Sequence, residues 1–119
     1  MKFLSLLGFA QASGNLVSGY NGCLAALRRG QARLVVLATD ASGGTKKTFD
    51  RAAKEVPLLQ IGTKEQLGAA IGKPARAVVC VMETGMAQAI VKAANTWITE
   101  AEGTNGRVEQ RADQARGDG

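Results

Sequence analysis

Apolar residues recur along the chain in two spacings, which predict short strands alternating with helices. Strands are predicted at Arg33–Thr39, Leu58–Ile61 and Ala77–Met82. The first contains the apolar run Leu34–Ala38 and the third is continuously apolar, which is typical of strands buried on both faces. The pair Leu16–Val17 is long enough only for an edge strand. This alternation predicts an α/β fold with a largely parallel sheet between two helical layers.

Five helices are predicted between these strands. They cover about Phe3–Ala12, Gly19–Arg29, Thr45–Glu55, the segment from a Thr63 cap to Ile71, and a segment that begins near Gly85. The apolar spacing predicts the inward-facing residues of the first three, which are Phe3, Leu6, Leu7 and Ala10, then Tyr20, Cys23, Leu24 and Leu27, then Phe49, Ala52, Ala53 and Val56.

The pattern divides the chain into one domain, residues 1–102, and a tail, residues 103–119. The tail is polar and charge-balanced without an apolar period, so we expect it to be disordered. The segment Met1–Ala12 also resembles a signal peptide, but Ser5 and Gly8 interrupt its apolar run. We therefore expect a first helix there, a cytoplasmic protein, and no membrane partner, because no run approaches the length of about 20 apolar residues that spans a bilayer.

The net positive charge of the chain indicates an acidic binding partner. The net charge is +5 and the isoelectric point is near 9.6. Seven of the fifteen cationic residues flank the second predicted strand, namely Arg28, Arg29, Arg33, Lys46, Lys47, Arg51 and Lys54. A phosphate backbone is the obvious partner for such a cluster.

The sequence lacks the residues that several kinds of catalytic and metal sites require. The chain has no histidine, and its two cysteines, Cys23 and Cys80, lie in apolar segments and are interpreted as small buried hydrophobes. We expect no metal and no cofactor. Asp40 and Glu83 each follow a predicted strand, so they can form an acid pair at one sheet edge, although turn or cap roles explain both more simply. We expect no catalytic residues and no enzyme.

A glycine-rich loop, Ser42–Thr48, follows a strand and opens a helix, but it lacks the spacing of a nucleotide-binding P-loop. Two interpretations stay open: helix amides and lysines that hold a phosphate, or a solvated loop. Asn21, beside Gly19 and Gly22, is either a reader of a base or ribose or an ordinary surface residue. Because ligands of α/β sheets meet the loops at strand ends, the candidate site comprises residues 18–22, 39–46 and 72–76.

Several motifs together resemble one family. They are Gly19-Tyr20-Asn21, the run from Arg29 to Ala38, Asp40-Ala41-Ser42, Thr45-Lys46-Lys47, the run from Gly62 to Gly68, and Ala70-Ile71-Gly72-Lys73. In order and spacing they are similar to the ribosomal L-seven-Ae / L-thirty-e superfamily, in particular its bacterial YlxQ-type branch of ribosomal-protein-like chains. The resemblance implies a three-layer α/β/α sandwich with a four-stranded mixed sheet that binds structured RNA, typically kink-turns.

The resemblance also implies a set of RNA-binding residues. Gly19 and Asn21 match the glycine and the base-reading asparagine of the family, whereas Gly22 stands where RNA-binding relatives usually carry glutamate and Ala25 where they carry lysine. The full candidate set is Gly19, Asn21, Gly22, Arg28, Asp40, Ser42, Thr45, Lys46, Lys47, Lys73 and Arg76.

Two functions remain open from the sequence. The first is a non-catalytic protein that binds structured, ribosomal or otherwise kinked RNA, with ribosomal or RNA-processing proteins as further partners and no DNA specificity. The second is a protein-interaction or small-anion-binding module that uses the same glycine-rich edge.

Overall fold

The computed structural model describes residues 2–100 and the backbone of residues 106–107. These form five helices and five strands in the order α1 (Lys2–Ala12), β1 (Leu16–Ser18), α2 (Tyr20–Arg28), β2 (Leu34–Leu37), α3 (Gly43–Ala52), β3 (Leu58–Ile61), α4 (Lys64–Ala70), β4 (Val78–Val81), α5 (Thr84–Glu100) and β5 (Gly106–Arg107). The predicted helices and strands of residues 2–100 are all present.

The sheet is mixed, with the strand order β1-β4-β2-β3-β5. β2 and β3 are parallel, whereas β4 runs antiparallel to both β1 and β2. The prediction of a largely parallel sheet, made from the alternation of elements, is therefore wrong. The four-stranded mixed sheet implied by the family resemblance is confirmed. β5 adds two residues to the β3 edge. It lies in the predicted disordered tail, most of which falls outside the described residues.

A short return loop explains the direction of β4. Helix α4 has seven residues, and the chain folds back along it, so that the amide of Lys73 donates to the Gly68 carbonyl (2.9 Å) and that of Arg76 to the Lys64 carbonyl (3.0 Å). The chain thus returns to the first turn of α4 before β4 begins. β4 consequently starts at the end of the sheet where β2 and β3 finish, which requires antiparallel pairing with β2.

Helices cover both faces of the sheet, as in a three-layer sandwich. α1 packs against α4 and α5, and α2 packs against α3. β2 and β4 are buried along their whole length, as their continuously apolar sequences predict. Two predicted inward residues are exposed, Ala52 and Tyr20. Both lie at the margin of an apolar stripe, where helical spacing alone does not distinguish the core from its border.

Cys23 of α2 and Cys80 of β4 are free, fully buried thiols. The pKa of Cys23 is raised, first because its thiol is hydrogen-bonded with Cys80 and second because burial disfavours the thiolate. The two thiols are therefore neutral packing groups, as predicted from their apolar surroundings.

Two contacts hold α4 against the neighbouring loops. A Cβ at Gly68 would lie 2.1 Å from the carbonyl oxygen of Pro74, so only glycine permits this approach of helix and loop. At the start of α4, Asp40 Oδ1 accepts a hydrogen bond from the Lys64 amide (2.8 Å), beside a capping box formed by Thr63 and Gln66.

Gly68→Ala is expected to lower the free energy of unfolding by about 1–3 kcal/mol or more, because the added methyl group overlaps backbone atoms that cannot rotate away. Urea denaturation measures the loss. Gly44→Ala is the matched control, because nothing lies within 4 Å of its Cβ position. Equal stability of the two variants would contradict the close approach.

Asp40→Ala is expected to lower the free energy of unfolding by about 0.5–2 kcal/mol, because it removes an acceptor from the first turn of α4. Asp40→Asn, which retains a side-chain oxygen, should recover most of this loss in the same urea titration. If Asp40→Ala unfolds at the wild-type midpoint, the carboxylate does not cap α4.

Candidate nucleic-acid interface

Three loops meet at one end of the sheet, which we call the rim: residues 18–22, 39–46 and 72–76. β1, β2 and β3 finish there and β4 starts there. Backbone hydrogen bonds continue the pairing of the chain at the bases of these loops, from Gly19 N to Val78 O (2.9 Å), from Ala38 N to Ala77 O (2.8 Å) and from Thr39 N to Gly62 O (2.7 Å). The three loops are therefore held together where they leave the sheet.

The N-terminus of α2 presents open backbone amides to the rim. Its N-cap is Gly19, whose φ of 92° favours glycine and which supplies no side chain to cap the helix. The first-turn amides of a helix have no intrahelical acceptor. Asn21 and Gly22 in this turn are exposed, so amide donors and a side-chain amide face an approaching ligand together. Such an end attracts anions.

The N-terminus of α3 places two lysines beside the rim. Ser42 caps the helix, since its Oγ accepts from the Thr45 amide (3.1 Å) and donates to Thr45 Oγ1 (3.0 Å). Lys46 and Lys47 follow in the next positions and line a groove of about 320 Å³ between α3 and β3, together with Asp50 and Gln60. Two of the predicted residues, Ser42 and Thr45, are therefore cap residues that orient the helix that carries the lysines.

Arg76 is fixed in place on the third loop. Its Nε donates to Ser18 Oγ (3.2 Å), and its Nη1 donates to the carbonyls of Ala75 (3.2 Å) and Pro74 (3.4 Å). These bonds hold the guanidinium between β1 and the β4 loop, and they leave Nη2 for another acceptor. Lys73, on the same loop, is exposed. The loop thus adds one hydrogen-bonded arginine and one exposed lysine to the rim.

Most of the predicted site residues lie together at the rim, but Arg28 does not. Arg28 is in the last turn of α2, at the other end of that helix from Asn21, about 10 Å away along the axis. Asp40 lies at the rim, but one carboxylate oxygen is occupied by the Lys64 amide. Its structural role is a helix cap.

Tyr20, a rim residue that is not in the predicted set of RNA-binding residues, links α2 to α3. The Tyr20 hydroxyl donates to Thr48 Oγ1 (3.1 Å), and the Tyr20 ring packs edge-on against Phe49 with centroids 5.5 Å apart. Tyr20 is nevertheless 44% exposed, so an aromatic surface stands beside Asn21. The apolar spacing of α2 predicted that Tyr20 faces the core. Its position in the first turn of α2, next to the rim, indicates that the side chain is also accessible to a ligand.

Asp40 and Glu83 do not form an acid pair, and the simpler cap roles expected for both are confirmed. Because β2 and β4 are antiparallel, Asp40 and Glu83 follow opposite ends of the sheet. Glu83 caps α5 instead, since its two carboxylate oxygens accept from the amides of Gly85 (3.0 Å) and Met86 (2.7 Å). Within the described residues, no three His, Cys, Asp or Glu side chains cluster as metal ligands, and no helix has the length and apolar character needed to span a membrane.

The chain is similar in sequence to known proteins. The chain is 37% identical over 93 residues to the RNA-binding protein YlxQ of Bacillus subtilis (strain 168), an alignment that covers 76% of this chain and 93% of the relative. The YlxQ protein of Enterococcus faecium is 34% identical over 89 residues, covering 73% and 85%. These names agree with the prediction that the chain is not an enzyme.

Solved structures extend the comparison to the fold. A protein of unknown function from Bacillus halodurans C has a TM-score of 0.76 at 33% identity and covers 79% of this chain and 97% of its own. The 15.5-kD RNA-binding protein of Giardia lamblia has a TM-score of 0.67 at 26% identity and covers 78% and 84%. The family model described as "Ribosomal protein L7Ae/L30e/S12e/Gadd45 family" matches residues 1–92. The chain therefore belongs to this family.

Proposed function

We propose that the protein binds structured RNA through the rim and performs no chemistry on it. The observation that supports this most strongly is the meeting of three loops that carry different recognition groups: open amides and Asn21 on α2, Lys46 and Lys47 on α3, and Arg76 before β4. Phosphates are bound by amides and cations, and Asn21 offers a donor and an acceptor to a base edge. Two YlxQ relatives and the Giardia protein carry RNA-binding names.

The specific target we propose is a kink-turn or a similarly kinked RNA of the ribosome or of RNA metabolism, in the cytoplasm. A rim that presents its donors from three loops fits a folded RNA better than a uniform duplex, because sequence-specific RNA contacts depend on unstacked, accessible bases. The exposed Tyr20 ring beside Asn21 supplies a surface on which such a base can stack.

Lys46→Ala/Lys47→Ala is expected to weaken binding of a kink-turn RNA and to reduce the slope of log affinity against log salt by about 2, one for each phosphate contact removed. Fluorescence anisotropy at several salt concentrations measures both quantities, and thermal unfolding checks that the fold is intact. Lys92→Gln is the control, because Lys92 is an exposed cation on α5. Unchanged affinity and slope in the double variant would place the site elsewhere.

Gly22→Glu/Ala25→Lys is expected to raise the preference for a kink-turn RNA over an unkinked duplex, because it restores two side chains that RNA-binding relatives usually carry. Space permits the first change, since the nearest atom to a Cβ at Gly22 is Val17 Cβ at 3.9 Å. The ratio of the two affinities at one salt concentration is the measurement. A ratio equal to that of the wild type would show that these positions do not read the kink.

The RNA-binding proposal can be rejected with the wild-type protein alone. If the wild-type protein binds neither the kink-turn RNA nor the duplex at low salt, the RNA-binding proposal is wrong, and the module that binds proteins or small anions is the function to test next.

A further inference from the structure

The basic residues that the sequence places in one window are divided by the fold into two groups. Lys46 and Lys47 lie beside the rim, whereas five others lie at the other end of the sheet, where β2 and β3 begin. We call that end the opposite end and define it by Arg28, Arg29, Arg33, Arg51 and Lys54. Arg28 and Arg51 are in the last turns of α2 and α3, Arg29 and Lys54 follow these helices within two residues, and Arg33 directly precedes β2.

A groove joins the two helix ends there. It has a volume of about 420 Å³ and an apolar floor of Leu27, Val56 and Pro57, with Arg33 and Glu55 at its margin. Because the groove is lined by residues from the end of α2, the end of α3 and the loops that follow them, both basic helix ends border one depression.

These cations are exposed, and no ion pair neutralises any of them within the described residues. Arg33 lines the groove beside Glu55, and the other four cations stand in the last turns of α2 and α3 or within two residues of them. Interaction with the helix dipole accounts for Arg28 and Arg51, which stand at helix C-termini. It does not account for Lys54 or for Arg33, which lie beyond the last helical turns.

Arg33 is held in the same way as Arg76 at the rim. Its Nη1 donates to the carbonyls of Gly30 (2.9 Å) and Ala32 (3.2 Å), which fixes the guanidinium at the groove while Nε and Nη2 form no hydrogen bond with the described residues. A fixed arginine with free donors suits bidentate binding of a phosphate, and four of the five cations here are arginine. Each end of the molecule thus has one positioned arginine and several exposed cations around it.

We propose that the opposite end is a second RNA-binding surface, which holds the phosphate backbone of a second RNA segment while the rim holds the first. The two surfaces are separated by the length of α2, about 13 Å between backbones, and they face away from each other. The protein therefore bridges two RNA segments. This inference rests on the proposed function for its choice of RNA as the ligand, but it concerns different residues.

The test uses the full-length chain with two RNAs. One kink-turn RNA carries a donor dye and an unkinked duplex carries an acceptor dye, so energy transfer reports that one protein holds both. The main variant is Arg29→Gln/Arg51→Gln/Lys54→Gln, whose three side chains are exposed. We expect it to bind the kink-turn RNA, to lose energy transfer, and to reduce the salt slope for the duplex by about 3.

Three controls make the result specific. Arg29→Gln alone is compared with Lys92→Gln, an equal loss of charge on α5, and only the former should reduce energy transfer. Arg33→Lys keeps the charge but removes the guanidinium fork, so it should weaken duplex binding with little change in the salt slope. Thermal unfolding confirms that each variant is folded.

The experiment distinguishes failure of the second RNA-binding surface from failure of the proposed function. Wild-type energy transfer and salt slope in the triple variant would overturn the second surface while leaving the rim proposal intact. Binding of a polyglutamate peptide, rather than the duplex, at the opposite end would assign that surface to an acidic protein and overturn the RNA assignment. Absence of binding to either RNA by the wild type would defeat the proposed function itself.

Discussion

The antiparallel insertion of β4 between β1 and β2 is the constraint on which the arrangement of the site depends. β4 is buried along its whole length and pairs with both neighbours, so its direction cannot change without loss of both ladders. Because it starts where β2 and β3 finish, the loop before it joins the loops after β1 and β2. The same direction places Glu83 far from Asp40 and removes the acid pair that a parallel sheet would have allowed.

Specific contacts between the loops and helices then hold this arrangement in place. Gly68 lets the return loop lie directly on α4, Asp40 caps that helix, and Arg76 is bonded to Ser18. Several polar residues near the ligand side therefore stabilise the positions of others. The groups that remain accessible, such as Asn21 and Lys47, extend from helix starts whose geometry the core already fixes, which reduces the ordering cost of binding.

Much of this could be predicted from the sequence, and the exceptions have physical causes. Short apolar segments located β2, β3 and β4, and Thr63 with Gln66 located the start of α4. The pattern did not give strand direction, because a strand buried on both faces has the same composition in either direction. The three loops selected from the sequence do lie together. In the parallel sheet that was predicted, however, the loop before β4 would lie at the other end of the sheet, and only the antiparallel direction of β4 brings it to the other two loops.

Side-chain roles were harder to predict than elements. Helical spacing could not separate Tyr20, which is exposed at the start of α2, from Cys23 in the core. Sequence proximity grouped Arg28 with Lys46, although β2 lies between them and carries the chain from one end of the sheet to the other. Contacts between distant residues, such as Arg76 with Ser18 and Tyr20 with Thr48, leave no local pattern.

The central claim is that the rim receives the RNA. Amide chemical-shift mapping by NMR during titration with a kink-turn RNA tests it most directly, because it reports on every loop at once without a mutation. If RNA binds at the rim, the largest changes will occur at Gly19, Asn21, Lys46 and Arg76. Saturable binding that leaves these four amides unshifted, with the changes confined to other surfaces, would contradict it.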